Sequence, residues 1–179
     1  MAEQVTNVKE IYGGVSKTVL TLFDADGATL SDKVFTLMDC IEGTTSMTKE
    51  AGDSTEIKSE QGAAIYVLTT PGTRVFATET GDLQESVLTG LFGFKKASDG
   101  MMIEPIGTPE IFAQVEIYFG GGTAKCIGYK VKLDPSVTLE GLNSGIGRGV
   151  ISGTLMNVDK SASGDGSDLR AFGIGKVVK

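Results

Sequence analysis

The sequence predicts a mainly β protein: an antiparallel β-sandwich or barrel with one short α-helix packed on it. Three observations carry this. Short β-branched and aromatic runs alternate with Gly- and Pro-marked turns along most of the chain. A single segment, residues 82–93, has helical apolar spacing. The order of strands, one helix and more strands also departs from the strict alternation that builds a parallel α/β sheet.

Residues 1–14 end in Tyr12-Gly13-Gly14 and are expected to form an N-terminal arm or edge strand. Lys17 to Phe23 is the first confident strand, and Asp24 to Gly27 turns it into a returning strand strongest over Lys33 to Met38. Residues 39–62 are polar and turn-rich, with Ile57 nearly the only strong apolar residue among them, and are expected to be a long polar loop. Ala63 to Thr70 and Thr73 to Glu79 are strands joined by Pro71-Gly72.

Then comes the helix. Asp82 can cap the first turn, with Glu85 three residues on as in a capping box. Leu83, Val87, Leu88, Leu91 and Phe92 make one apolar stripe, and Gly93 is a left-handed stop. About three turns are not stable alone, so the stripe must pack on a sheet.

Met101 to Ile103 reads as a short strand, and Pro105 and Pro109 bracket a loop. In the hairpin that follows, Val115, Ile117 and Phe119 share one face of 111–119, with Gln114, Glu116 and Tyr118 on the other. Gly120 to Gly122 reverses the chain. The return places Ile127, Tyr129, Val131 and Leu133 on one face, and Asp134-Pro135 is expected to end it. Residues 139–149 are glycine-rich, 149–158 is a strand, 161–168 a turn, and 169–179 a closing strand.

The 179 residues are expected to form one domain, 1–179, burying roughly 70% of the unfolded surface and so needing no disulfide or metal. Net charge is −7 without a basic cluster, which argues against gripping nucleic acid. No apolar run is long enough for a membrane helix, and the first residues lack the features of a secretory signal, so folding in a cytoplasm is expected. Cys40 and Cys126 read as two free thiols or one long-range disulfide. The chain has no histidine, which removes the usual general base and the commonest metal ligand.

No catalytic, cofactor-binding or metal-ligating residue is assigned, and no cofactor is expected. Gly13 to Thr18 resembles the tail of a phosphate loop but lacks its glycines and precedes a strand. Gly145 to Gly149 falls short of a dinucleotide fingerprint. Asp159 to Ser167 has calcium-loop oxygen spacing, yet Arg170 stands where the bidentate glutamate belongs. Glu104, Glu110 and Glu116 would be the carboxylates of a hydrolase. Tyr118 and Tyr129 would serve the alternative function, a ligand- or carbohydrate-binding β-sandwich module, with loops 95–110 and 139–149.

In layout the chain resembles phage major tail tube proteins. A β-hairpin (17–38), a long polar stretch (39–62), a strand pair (63–79), a short amphipathic helix (82–93), and a hairpin with terminal strands (111–178) follow in that order. The resemblance covers most of the chain. It implies a non-enzymatic structural virion protein, assembling with itself into stacked hexameric rings that form a hollow tube. Its other partners would be further tail proteins and DNA that passes without specific binding, with no membrane. The location implied is a virion tail, made in a host bacterial cytoplasm, and related tubes occur in contractile injection systems and type VI secretion.

Overall fold

Alternation is written most fully in the segment Ile111–Phe119, where Ala113, Val115 and Ile117 are buried while Gln114, Glu116 and Tyr118 face outward, as expected. The computed structural model describes residues 14–24, 27–58, 60, 62, 64–104, 106–107, 110–138, 147–160 and 166–177. Its strands are β1 (Val15–Phe23), β2 (Leu30–Leu37), β3 (Ser46–Lys49), β4 (Ser54–Lys58), β5 (Ala64–Thr69) and β6 (Arg74–Thr80). Helix α1 (Glu85–Gly90) precedes β7 (Lys95–Lys96), β8 (Met102–Ile103), β9 (Ile111–Phe119) and β10 (Ala124–Thr138). The chain continues through β11 (Arg148–Leu155), β12 (Val158–Asp159), β13 (Leu169–Arg170) and β14 (Phe172–Lys176). The expected arm, 1–14, lies outside the described residues except for Gly14.

The main sheet runs β2-β1-β9-β10-β11-β6-β3, every pairing antiparallel, with β14 also on β10. It is a sandwich-like arrangement, not a closed barrel. After β2 the chain crosses to the far side of the sheet. Cys40 bridges Thr80, and the Ile41 N–H donates to the Glu79 carbonyl at 2.8 Å. The sheet therefore curls around one core holding Leu20, Leu37, Phe76, Val115, Val131, Leu133 and Ile151.

Strand β10 changes face partway. Against β9, Gly128 pairs with Val115 and Val131 with Ala113, so β10 takes three steps where β9 takes two. Before this bulge Ala124, Cys126 and Gly128 point inward; after it Val131, Leu133 and Pro135 do. The expected common face of Ile127, Tyr129, Val131 and Leu133 is thus corrected: one extra residue flips the alternation. Nor does Asp134-Pro135 end the strand. β9 stops at Ile111, opposite Leu133, so beyond that point β10 has only β11 beside it and a missing N–H is tolerated.

Within residues 39–62 the expected loop is corrected at two places, 46–49 and 54–58, which are strands. β3 pairs with β6 through Ser46–Lys49, supported by the 2.7 Å hydrogen bond between the Thr45 and Thr78 hydroxyls. β4 pairs with β5 in a separate two-stranded sheet. Polar composition hid β3 because its partner is almost thirty residues away, and hid β4 because its exposed strand buries nothing.

The helix is shorter than expected. Asp82 does not cap it; its carboxylate accepts from the Gln84 N–H at 3.3 Å, and the Thr80 hydroxyl accepts from the Asp82 N–H. Glu85 is held outward by Lys96 at 2.7 Å, so no capping box forms. Val87, Leu91 and Phe92 are buried as the stripe requires, Leu88 is half-buried, and Gly93 takes φ 74°. The six-residue helix is fixed by two close approaches. A side chain on Gly90 would run into the Phe35 ring, and one on Gly149 would meet Phe92 Cζ at 2.5 Å.

Candidate assembly surface

The carboxylates considered for catalysis do not converge. Glu110 and Glu116 lie six residues apart on β9 and its lead-in, about 20 Å at strand rise, well beyond the separation two glycosidic carboxylates need. Glu110 pairs with Lys132 at 2.7 Å on the surface, and Glu104 is exposed.

Glu116 is the centre of a polar cluster on the outward face. Tyr118 Oη donates to it at 2.6 Å, Lys125 Nζ at 2.9 Å and Gln114 Nε2 at 3.4 Å. Lys17 and Lys125 lie 4.8 and 5.7 Å from the Tyr118 ring centroid. Burial pushes the Glu116 carboxyl up, but these hydrogen bonds and the Lys125 charge outweigh it and hold the carboxyl below its ordinary value. The Glu116 hydrogen bond in turn raises Tyr118 and Lys125. This cluster locks three strands together and presents an anchored ion pair, not a poised base.

The other motifs resolve as follows. Val15 opens β1 directly, so no helix follows Gly14 as a phosphate loop requires. Gly149 lies inside β11 against Phe92, and Gly145 lies outside the described residues. Asp159 accepts from the Gly166 N–H at 2.7 Å, while Asp168 grips Arg170 through two hydrogen bonds of 2.8 and 2.6 Å. Residues 161–165 are outside the described set, and no metal-holding cluster occurs among the described residues. No described helix is long and apolar enough to cross a membrane.

Tyr118 and Tyr129 form no stacking platform. Tyr118 pairs in register with Lys125, and Tyr129 lies four residues further on, about 13 Å along β10. A depression of about 580 Å³ over β10, β11 and β6 is lined by the Glu110–Lys132 pair, Val75, Asp134, Ser152 and Thr154, without an aromatic ring. Cys40 donates weakly to Thr18 Oγ1 at 3.5 Å. Thr18 pairs with Ile117 and Ile117 with Cys126, so about two strand spacings separate that neighbourhood from Cys126. Both thiols are free, and burial raises that of Cys126.

Among the described residues, the β4–β5 hairpin is left uncovered. Thr55 pairs with Leu68 and Ile57 with Tyr66, which puts these four side chains on one face. Ser54, Glu56, Val67 and Thr69 take the other. Ile57 is 55%, Tyr66 59% and Leu68 54% exposed, so among the described residues nothing covers the apolar face. Two glycines form its neck: a side chain on Gly52 would strike the Thr70 carbonyl, and one on Gly72 the Glu50 carbonyl. The Glu50 N–H donates to Thr73 and the Thr70 N–H to Asp53, both at 2.8 Å, carrying the backbone ladder from the body into the hairpin. Sequence reasoning singled out Ile57 but missed its pairing with Tyr66. The matching alternations Thr55/Ile57 and Tyr66/Leu68 on either side of Gly62 are the signal that could have found it.

The second uncovered feature is the sheet edge at β2. Among the described residues only β1 pairs with it, and Leu30 and Val34 are exposed there. The chain matches no family model and no curated protein.

Proposed function

We propose that this chain is the repeating subunit of a hollow tube: a major tail tube protein of a phage, or its counterpart in a contractile injection or type VI secretion system. Copies close into hexameric rings, rings stack, and DNA or another cargo passes without specific binding. The subunit is structural and carries out no chemistry. In a phage it is made in the bacterial cytoplasm and ends in the virion tail, beside other tail proteins.

The observation that carries this reading is the hairpin with an uncovered Ile57/Tyr66/Leu68 face. A two-stranded hairpin is marginal in water by itself, and apolar patches of this kind mark interaction sites. Covering three such side chains stabilises by roughly 5 kcal/mol, near the lower end of what association costs in lost freedom. One such contact is weak and many repeated ones are strong, which is the energetic logic of a polymer. The open edge at β2 supports the same reading, since exposed strand edges template pairing with another chain.

Negative-stain electron microscopy of the purified protein over a concentration series, beside light scattering, tests it. Rings or hollow tubes with six-fold end views are the expected result. A chain that remains monomeric at the highest concentration reached sinks the reading.

A further inference from the structure

We infer that the mouth of the core beside Lys49 and Arg74 binds a small phosphate-class oxyanion, either inorganic phosphate or a phosphate monoester. The inference is independent of the tube reading above.

Lys49 and Arg74 pair directly across β3 and β6, two residues beyond the Met47–Phe76 pair. Period two therefore puts both cations on the face that carries the fully buried Phe76, where the core opens to solvent. Like charges directly opposite one another weaken strand pairing, and β3 ends the main sheet with β6 as its neighbour. Neither cation has a carboxylate partner among the described residues. Arg74 is instead stacked on Phe172, its guanidinium carbon 4.8 Å from the ring centroid. Stacking occupies the flat face of the guanidinium and leaves its edge, a planar fork of N–H donors that matches two oxyanion oxygens.

A cavity of about 420 Å³ opens at this point, lined by Lys49, Thr73, Arg74, Leu155, Asn157 and Ala171 and by no acidic residue among those described. Glu50, next in the chain, lies outside that lining. Asn157 and Thr73 add neutral donors beside the two charges. The larger depression over β10, β11 and β6 is different: there Lys132 is paired with Glu110 and faces Asp134 as well, so an anion gains no net attraction. At the core mouth an anion between Lys49 and Arg74 replaces one repulsion by two attractions. Two cations without an acid favour a doubly charged phosphate over a singly charged carboxylate.

The test is the melting temperature of the full chain, at one protein concentration, in chloride, acetate, inorganic phosphate or glycerol phosphate at matched ionic strength. For a site of about 1 mM affinity, about 20 mM phosphate is expected to raise the wild-type value by about 3–6 °C over chloride. Phosphate also stabilises proteins by exclusion from their surface, so Lys49→Gln and the double variant Lys49→Gln/Arg74→Gln are melted in the same series. Lys49→Gln removes the repulsion, so it should melt no lower than wild type in chloride yet below it in phosphate. A general salt effect gives no such reversal. The double variant should lose the specific rise, and amide NMR shifts on adding phosphate to wild type should centre on 47–49, 72–74 and 155–157. Which of the two phosphates gives the rise distinguishes the free ion from an ester. An equal rise in acetate, or one that survives in the double variant, would mean an adventitious ion only and overturn the site. So would Lys49→Gln melting well below wild type in chloride, which would make the lysine structural.

Discussion

The curled main sheet and the β4–β5 hairpin are built from the same kind of strand and end in opposite situations. In the sheet, β9 alternates Ala113, Val115 and Ile117 inward with Gln114, Glu116 and Tyr118 outward, and the inward set is fully buried. In the hairpin, Ile57, Tyr66 and Leu68 line one face in the same alternating way, yet stay more than half exposed. Alternation therefore specifies which face of a strand is apolar, not whether anything covers it. In the sheet the cover is intramolecular: the helix, held by the Gly90–Phe35 and Gly149–Phe92 approaches. For the hairpin no cover is present among the described residues, and this asymmetry is the observation on which the proposed assembly rests.

The comparison breaks most visibly at the helix. Leu91→Ala empties a fully buried position in the core cluster and is expected to cost about 3 kcal/mol, read by denaturant unfolding. A loss below about 1 kcal/mol would mean that the helix does not close the core. Gly149→Ala comes next. Its new Cβ would sit against the Phe92 ring, so the helix or β11 must shift, at about 2 kcal/mol. An unchanged melting temperature would refute that close approach.

Smaller, and dependent on pH, is the outward cluster. Glu116 has a lowered carboxyl pKa, so its contribution is present above the ordinary carboxylate range and is lost as pH falls through the folded value. Glu116→Gln should cost about 1 kcal/mol near pH 7, with wild type and variant converging in acid. A gap that persists unchanged below pH 3 would show that packing, not charge, holds the three strands.

The smallest effect on the monomer is expected in the hairpin. Ile57→Thr should change unfolding free energy by less than about 0.5 kcal/mol, because Ile57 is more than half exposed and its strand neighbour Tyr66 belongs to the same hairpin. The same variant should nevertheless impair assembly by light scattering. A large loss of monomer stability would erase the distinction between body and hairpin.

Much of the body was legible because its signals are local. The faces of β9, the Gly120–Gly122 reversal, and the pairing that follows from it needed only period-two alternation and a glycine turn. The helix was legible in Val87, Leu91, Phe92 and Gly93, but not in its length. Thr80 and Asp82 use their side-chain oxygens to turn the backbone before the helix can begin. Of the candidate site, the shared face of Gln114, Glu116 and Tyr118 was readable, whereas the partnership with Lys125 emerges from the cross-strand register.

By itself, then, the sequence determined the β class, the single helix, most strand positions, and the absence of histidine chemistry, since each depends on residue type and near neighbours. Only the tertiary structure decided that polar residues 46–49 join β6, that an extra residue in β10 turns its core face over, and that Pro135 is tolerated within a strand. It also decided which apolar faces are covered. Strand pairing and burial are relations between distant segments, and their free energy exists only once those segments meet.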